Sequence, residues 1–403
     1  MDESFGQRDL ISEEMIPLCV PEIRGNEWKY IKECLDTNWV SSAGRFVDRF
    51  EKTVADYVGS KYAAATVNGT AAIHIALLVS GVQSDDEVLM PTLTFIAPAN
   101  AVRYVGAWPV FIDVESDYWQ MDVNKVEEFL RKECDWKNDE LRNKSSGRRV
   151  KAIMPVHILG HPVEMAALRS LSQEFGLVII EDATESLGAK YNGKNVGHLG
   201  DIACFSFNGN KIISTGGGGM ITSDNEEWMI KAKYLITQAK DNPLEYIHNE
   251  IGYNYRLTNI QAAMGCAQME LINEYVQAKR KIAETYSAAF KDIPGIFPMR
   301  EASWAFSTFW MYTVLIYEKE YGTNSRELLQ KLGEFGIQSR PLWQPIHLSK
   351  AHSLCKSYQC VNGVAEGLNS RAISIPCSVG LNLKSQQSVI DLIRDIYINK
   401  NRY

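Results

Sequence analysis

The sequence predicts an α/β protein with a mainly parallel seven-stranded sheet in a large domain, followed by a smaller α+β domain. Its 403 residues are enough for both. Between residues 62 and 222, short apolar runs rich in β-branched residues alternate with helical patterns, which is typical of a parallel sheet covered by helices. The candidate strands are Tyr62–Val67, Glu87–Met90, Trp108–Val114, Val150–Pro155, Leu177–Glu181, Ile202–Phe207 and Gly219–Thr222.

Two further segments determine the expected domain organisation. Lys132–Arg149 is charged and lacks an apolar period, so it is predicted to be a surface insertion without a chemical role. Leu257–Phe290 has apolar residues at a helical period and predicts one long helix that links two domains. We therefore expect a large domain over residues 1–270 and a small C-terminal domain over residues 271–403.

Composition and charge argue against several classes of protein. The formal net charge of −7 gives no basic surface for nucleic acid. The eight cysteines are scattered without a C-x-x-C pair, and the opening MDESFGQRDL lacks the order of a signal peptide, so we expect reduced thiols in a cytoplasmic protein. The most apolar window, Ala71–Val79, is about half the ~20 residues that a membrane span needs, so no membrane association is expected.

Asp182 and Lys211 each follow a candidate strand, and ligands of open parallel sheets bind beyond the carboxyl ends of strands. Either residue alone is also consistent with an ordinary structural or solvated side chain. Together, an acid at a strand end followed by Ser-x-x-x-x-Lys and a glycine run is what pyridoxal 5′-phosphate (PLP) chemistry requires. The carboxylate keeps the pyridine nitrogen protonated, while the lysine binds the cofactor as a Schiff base and moves the substrate proton.

The cofactor's phosphate needs a separate binding site. Val67–Ala72 follows a strand and opens an apolar helix, so its helix-terminal amides face an anion and Gly69 allows close approach. Ser206 offers a hydroxyl to the same group, and Phe95, after the second strand, is placed to stack on the pyridine ring. The alternatives are a strand–helix turn capped by Asn or Thr, and a core position for Phe95.

Motifs spread over nearly the whole chain carry a family resemblance. They are IPLCVPEIRGNEW, NWVSSAGRFVDRFE, NGTAAIHIAL, PTLTFIAPANAV, PVHILGHPVEM, IIEDATESLGA, CFSFNGNKIISTGGGGMIT, GYNYRLTNIQAAMG, PLWQPIH and IPCSVGL, in this order. On these motifs the chain resembles the sugar aminotransferases of the DegT/DnrJ/EryC1/StrS family, which have the aspartate-aminotransferase (type I) fold and cycle PLP through pyridoxamine 5′-phosphate.

The resemblance implies a set of site residues. The catalytic residues would be Lys211 and Asp182, and the cofactor contacts would be Gly69, Thr70, Ala71, Phe95, Asp182, Glu185, Ser206, Lys211 and Asn254. Asn254 resembles the residue that reaches the cofactor phosphate of the neighbouring subunit, which implies a homodimer with shared active sites. Glu185 stands where many members have Gln, and an ionised glutamate cannot donate a hydrogen bond. Gly216–Gly219 stands where many have Gly-Glu-Gly-Gly.

The amino-acid sequences of several motifs are most similar to those of one branch of the family. That branch aminates C4 of UDP-linked 4-keto-6-deoxy-N-acetylhexosamines, with L-glutamate as donor, for legionaminic-acid-type surface glycans. Arg256 and Arg340 are candidate substrate contacts, because arginines bind diphosphates bidentately. His157 and His347 are further candidates, because they lie in family-like motifs. The arginines are equally consistent with surface ion pairs, and amination at C3 or of a GDP sugar remains an alternative.

Two other functions share the implied fold. A pyridoxamine-phosphate-dependent sugar dehydratase has histidine at the position of Lys211, so the lysine argues against it. A regulatory protein is the non-enzyme alternative, and the lysine, Asp182 and the phosphate site together argue against that. No metal site is predicted, because His157 and His161 are four residues apart but Gly160 disfavours the helix that would align them.

Overall fold

A computed structural model describes residues 15–242 and 244–400. The helices are α1 (Glu27–Asp36), α2 (Arg45–Val58), α3 (Gly69–Val79), α4 (Ala97–Tyr104), α5 (Val123–Glu133), α6 (Met165–Phe175), α7 (Glu226–Ile236), α8 (Asn259–Met269), α9 (Ile272–Phe290), α10 (Glu318–Tyr321), α11 (Ser325–Glu334), α12 (Val364–Arg371) and α13 (Leu383–Lys400). The strands are β1 (Tyr62–Thr66), β2 (Glu87–Pro91), β3 (Trp108–Ile112), β4 (Cys134–Lys137), β5 (Glu140–Asn143), β6 (Val150–Ile153), β7 (Val178–Asp182), β8 (Lys190–Tyr191), β9 (Lys194–Asn195), β10 (Ile202–Ser206), β11 (Gly219–Ser223), β12 (Ile296–Pro298), β13 (Ala305–Phe306), β14 (Tyr312–Ile316), β15 (Arg340–Pro341), β16 (Lys356–Tyr358) and β17 (Ala372–Ile375). The opening MDESFGQRDL, used above for the expected localisation, lies outside the described residues.

The large sheet has the strand order β1-β11-β10-β7-β6-β2-β3-β16. From β10 to β16 all neighbours are parallel, whereas β11 is antiparallel to both β10 and β1. Both faces are buried: Val88 and Met90 pack with side chains of α3, α4 and α7, and Leu89 packs with those of α5 and α6. This double cover explains why the strands have continuous apolar runs.

All seven predicted strands are present, but the sheet has eight, so the predicted number was wrong by one. The additional strand, β16, is three residues long and half-buried at the sheet edge, where it pairs in parallel with β3. Its sequence, KSY, has no apolar run that could have marked it as a strand. It lies within residues 271–403, so the large sheet takes one strand from the segment assigned to the small domain. The division at residue 270 otherwise stays a prediction.

The predicted single helix over Leu257–Phe290 was also wrong, because the structure contains two helices, α8 and α9. Thr258 and Gln261 form a capping box that starts α8. The helix stops at Glu270, whose carboxylate accepts hydrogen bonds from Tyr30 and Asn26, and the next residue leaves helical geometry before α9 begins. The apolar period continues across the break, which is why the pattern did not reveal it.

The remaining elements form three smaller sheets. An antiparallel sheet, β12-β14-β17-β15, belongs to the C-terminal part, and β13 pairs with β8 of the β8-β9 hairpin. The charged insertion forms the β4-β5 hairpin, in which three strand residues are exposed and Cys134, Leu141 and Asn143 are buried. Within the described residues, no helix is both long and apolar enough to cross a membrane.

Candidate active site

The carboxyl ends of the central strands open into one cleft with a cavity volume of about 300 Å³. β7 ends at Asp182 and β10 ends at Ser206, while the turns after β1 and β2 supply Gly69 and Phe95. Lys211 enters from the loop between β10 and β11. The sheet therefore brings these predicted residues together at its carboxyl edge, as expected for a ligand site of a parallel sheet.

Lys211 is enclosed by protein on most sides. Its side chain is 14% exposed, and its Nζ lies 4.0 Å from Oε1 of Glu185 and 3.9 Å from the centre of the Trp310 ring. Burial lowers the pKa of the amine, although the carboxylates of Glu185 and Asp182 oppose this shift. The amine therefore reaches its neutral, nucleophilic form at a lower pH than an exposed lysine does.

Asp182, the last residue of β7, is 1% exposed. Its Oδ1 accepts a hydrogen bond from the Thr184 amide at 3.0 Å, whereas its buried Oδ2 has no hydrogen-bond partner among the described residues. Burial raises the pKa of this carboxyl, and the Thr184 hydrogen bonds and the Lys211 charge oppose the rise. An unpaired buried carboxylate oxygen is costly, so Oδ2 marks a place where a charged N–H group of a ligand can bind.

Glu185 lies between Lys211 and the backbone of Leu159, whose amide donates to Oε2 at 2.9 Å. Burial raises the pKa of the carboxyl to about 7. Near neutral pH a large fraction of the molecules therefore carries a protonated Glu185, which can donate a hydrogen bond as glutamine does. The family's usual Gln and the Glu of this chain are thus chemically similar at this position.

The raised pKa makes the stability of the cofactor-free protein depend on pH. The pKa of Glu185 is about 7 in the folded protein against about 4.5 in the unfolded chain, so its stabilising contribution is present below about pH 4.5 and is lost as the pH rises through 7. We expect Glu185→Gln, which keeps an acceptor for Leu159, to gain about 2–3 kcal/mol relative to wild type between about pH 5 and pH 8.5. Urea midpoints of cofactor-depleted protein at both pH values measure this gain, and parallel pH dependences of the two proteins would contradict it.

The opposite end of the cleft is formed by the first turn of α3. A Cβ at Gly69 would lie 3.0 Å from Cβ of Ser206 and 3.1 Å from a methyl of Thr184, so a larger residue would have to displace these side chains slightly and glycine favours the close packing. The amides of Gly69 and Thr70 open the helix beside the Ser206 hydroxyl, and both residues line the cleft. A helix N-terminus of this kind attracts phosphate.

Ala71 was expected to bind the phosphate with Gly69 and Thr70, and this stays a prediction, although its amide has another partner. The Ala71 amide donates to Oδ1 of Asn68 at 2.8 Å, because Asn68 is the N-cap of α3. The turn capped by Asn, which was the alternative interpretation of this segment, is therefore also present. The cap uses the Ala71 amide and leaves the amides of Gly69 and Thr70 beside the cleft.

Aromatic side chains form the rest of the cleft. Phe95 is 54% exposed where it lines the cleft, a position suited to a ring ligand. The sequence did not predict the roles of Asn210, Trp310 and Trp343, which also line it. Trp310 donates from Nε1 to the Asn210 carbonyl at 2.7 Å, and its ring is nearly parallel to that of Trp343 at 6.5 Å. Two of them had a signal in the sequence, because Asn210 lies in the family-like motif CFSFNGNKIISTGGGGMIT and Trp343 lies in PLWQPIH.

His157 was expected to contact substrate, and the structure places it elsewhere. It is fully buried, with Nε2 3.1 Å from Oε2 of Glu181 and with Nδ1 accepting the Val163 amide at 3.0 Å. Both ring nitrogens are occupied, so the prediction of a substrate contact was wrong. Its own amide donates to the Asp182 carbonyl at 3.0 Å, so His157 helps to position the end of β7.

The other predicted contacts do not line the cleft. Asn254 and Arg340 are exposed and Arg256 is half-buried. The His347 side chain is 4% exposed, with its ring nitrogens 2.7 Å from the Thr92 hydroxyl and 3.0 Å from Glu366, which leaves it no free nitrogen for a substrate. The prediction for His347 was therefore wrong, while those for the arginines and Asn254 stay predictions.

The cleft residues fit PLP. The unpaired Oδ2 of Asp182 suits the pyridinium N–H, the closely packed turn with glycine at position 69 suits the phosphate, and the partly desolvated Lys211 amine suits the aldehyde. A lysine and an acid at neighbouring strand ends of such a sheet define the class: a PLP-dependent enzyme with the aspartate-aminotransferase fold.

The chain belongs to the DegT/DnrJ/EryC1/StrS aminotransferase family, whose model matches residues 21–394. It is 37% identical over 385 residues to the GDP-perosamine synthase of Escherichia coli O157:H7, covering 96% of this chain and 99% of that protein. It is 31% identical over 360 residues to the UDP-4-amino-4,6-dideoxy-N-acetyl-beta-L-altrosamine transaminase of Campylobacter jejuni, covering 89% and 91%. A DegT DnrJ EryC1 StrS aminotransferase from Brucella abortus has a similar crystal structure, with a TM-score of 0.83, 27% identity, and coverage of 92% and 95%. The chain is therefore a PLP-dependent sugar aminotransferase, and the predicted fold class, enzyme class and cofactor are confirmed.

Proposed function

We propose that this aminotransferase moves the amino group of L-glutamate to C4 of UDP-2-acetamido-2,6-dideoxy-hexos-4-ulose. The product would be UDP-4-amino-4,6-dideoxy-N-acetylglucosamine, a precursor of surface polysaccharide. The buried Lys211 amine beside the unpaired Oδ2 of Asp182 carries the aminotransferase assignment. The motif resemblance and the UDP-sugar name of the Campylobacter relative support the substrate. Free thiols at all eight cysteines favour the cytoplasm.

We assign the chemical roles as follows. PLP, when bound, supplies the electron sink for the carbanion formed on proton removal. Asp182 holds the pyridine nitrogen protonated through Oδ2, and Gly69, Thr70 and Ser206 hold the phosphate. Lys211 would hold the cofactor's aldehyde carbon, and as a neutral amine it would move the proton to and from the substrate carbon.

A GDP-linked 4-keto-6-deoxy sugar is the second candidate substrate. The relatives with higher identity favour it, since the Escherichia coli GDP-perosamine synthase matches this chain at 37% against 31% for the Campylobacter UDP-sugar enzyme. Both candidates are keto sugars linked to a nucleoside diphosphate, so the cofactor chemistry is the same and the difference lies in recognition of the nucleotide and of the substituent at C2.

Incubation of the holoenzyme with L-glutamate and each keto sugar distinguishes the two candidates. We expect kcat/KM for the UDP-linked N-acetyl sugar to exceed that for the GDP-linked sugar by at least about tenfold, because mismatched polar groups are costly in a closed site. NMR of the product should place the new amine at C4. Turnover of the GDP sugar alone, or an amine at C3, would overturn the substrate assignment and leave the aminotransferase assignment in place.

We also propose that the active site is completed in a homodimer. Asn254 is exposed in the single chain, although the adjoining Tyr255 carbonyl accepts the Val67 amide at 2.8 Å, next to the phosphate site. The segment that precedes Asn254 has exposed apolar side chains, among them Leu244 at 87% and Ile251 at 84% exposure. Exposed apolar residues grouped in this way favour a protein interface.

Mixed dimers test the sharing of sites. We expect Asn254→Ala to weaken PLP binding about tenfold or more, because a hydrogen bond to a charged phosphate is lost. If Asn254 acts on the partner's site, refolding a mixture of Lys211→Ala and Asn254→Ala chains restores about a quarter of wild-type turnover at a PLP concentration too low to load Asn254→Ala alone, since half of the dimers are mixed and each has one intact site. No recovery in dimers shown by mass to be mixed would contradict the proposal.

A further inference from the structure

A buried cluster outside the cleft, formed by Cys19, Lys279 and Cys377, has no part in the chemistry described above. Lys279, on α9, is 1% exposed. Its Nζ lies 2.7 Å from the Trp310 carbonyl and 2.5 Å from the Cys377 carbonyl, and it is 3.5 Å from the sulfur of each cysteine. A buried lysine is costly unless charged or polar partners surround it, and here two of its partners are thiols.

The two cysteines are close enough to react with each other. The Cys377 amide donates to the carbonyl of Leu18 at 2.8 Å, so the two cysteine backbones run side by side. The Val20 amide donates to the hydroxyl of Ser378 at 3.0 Å, which ties the two segments together on the other side of the pair. Both sulfurs lie 3.5 Å from the same Nζ and the two side chains interact with each other, which places the pair for disulfide formation.

The cluster also favours a reactive thiolate. The hydrogen bond from Cys19 and the Lys279 charge lower the pKa of Cys377, against the effect of burial. The interaction with Cys377 and burial raise the pKa of Cys19, against the Lys279 charge, so the two thiols titrate as a coupled pair. Cys19 is half-buried and Cys377 is buried, so Cys19 is the member of the pair nearer to solvent.

The cluster contacts the loop that carries Lys211. The Cys19 thiol donates to the Asn210 carbonyl at 3.3 Å, and Asn210 precedes Lys211 in the chain. Trp310 accepts a hydrogen bond from Lys279 and places its ring under the Lys211 amine. A chemical change at the sulfurs therefore alters two groups that hold the catalytic lysine in place.

We propose that Cys19, Lys279 and Cys377 form an oxidation site at which a peroxide joins the two sulfurs as a disulfide and thereby lowers transamination. The thiolate of the pair attacks hydrogen peroxide, forming an S–O bond, breaking the O–O bond and releasing hydroxide. That hydroxide takes the proton of the second thiol. The new thiolate then attacks the sulfenic acid, forming the S–S bond and releasing a second hydroxide, which takes a proton from solvent. The two sulfurs lose two electrons and the peroxide gains them.

Treatment of the holoenzyme with hydrogen peroxide tests the proposal. Tandem mass spectrometry of the digested protein should find the Cys19 peptide joined to the Cys377 peptide, with loss of two hydrogen atoms, and dithiothreitol should reverse the link. We expect turnover to fall about tenfold on oxidation and to recover on reduction, because displacement of a catalytic group costs rate steeply. Cys355→Ser removes a half-buried thiol away from Lys279 and should respond as wild type does.

Cys19→Ser should form no such link and should keep its turnover in peroxide. This variant changes only the half-buried member of the pair, so it tests the proposal even if Cys377→Ser does not fold. The proposal would be overturned if Cys19 and Cys377 stayed reduced at a peroxide concentration that oxidises Cys355. Sulfonic acid at Cys19 without the cross-link, or a sulfur joined to Lys279, would also overturn it. Equal loss of turnover in Cys19→Ser would overturn the link between disulfide and activity.

Discussion

Replacement of Lys211 by alanine is expected to remove the visible absorbance of lysine-bound PLP and to lower turnover by about 10⁴-fold or more. The size of the effect follows from two losses at one atom. The amine that binds the cofactor covalently is gone, and so is the base that moves the substrate proton. Water cannot replace the amine well as a base, because the Lys211 side chain is only 14% exposed and packs on the Trp310 ring.

Absorbance spectra and single-turnover kinetics with L-glutamate measure the two losses separately. The control is Lys194→Ala, which removes an exposed lysine on β9 and should leave both signals unchanged. A Lys211→Ala protein that keeps the lysine-type absorbance and wild-type turnover would refute the assignment of this lysine. Retained PLP binding without the covalent band is compatible with it, because the phosphate and pyridine contacts do not involve Lys211.

Replacement of Asp182 by asparagine should lower turnover by about 10³-fold while changing the shape of the side chain very little. The amide cannot stabilise a protonated pyridine nitrogen through charge, so the electron sink weakens. The Thr184 amide can still donate to the asparagine oxygen, which keeps the end of β7 in place. The loss is therefore expected in kcat, with little change in thermal stability.

In Asp182→Asn both half-reactions should slow, since the protonated ring nitrogen is needed for each. Stopped-flow absorbance measures the first half-reaction with glutamate and the second with the keto sugar. Asp56→Asn removes an exposed carboxylate that pairs with Lys52 on α2, and it should be without effect on either rate. If Asp182→Asn retained turnover within a factor of about ten of wild type, Oδ2 would not be the partner of the pyridinium.

Local sequence patterns were sufficient for seven of the eight strands of the large sheet and for the centre of the site. β-branched apolar runs identified seven strands, because residues buried on both faces of a parallel sheet are apolar without interruption. Asp182 and Lys211 could be singled out because they follow such runs directly and lie at the carboxyl edge by the rule of parallel sheets. Their residue types then indicated the cofactor.

Where local patterns were wrong, a distant contact explains the difference. The break between α8 and α9 is stabilised by hydrogen bonds from Tyr30 and Asn26 to Glu270, about which the helical period carries no information. β16 is held by its pairing with β3 and by contacts of Lys356 and Tyr358 with residues far away in the chain. His157 lies in a family-like motif, yet both of its ring nitrogens have partners in Glu181 and Val163. Its place in the motif is therefore explained by packing within the fold.

The sequence by itself determined the fold class, the family and the lysine–aspartate pair, because these depend on periodicity, residue type and order along the chain. Only the tertiary structure decided the protonation chemistry of Glu185 and the placement of Trp310 against Lys211. It alone also revealed the cluster of Cys19 and Cys377 around Lys279. The physical reason is the same in each case: desolvation and contact between residues far apart in the chain arise only when the folded protein excludes water around them.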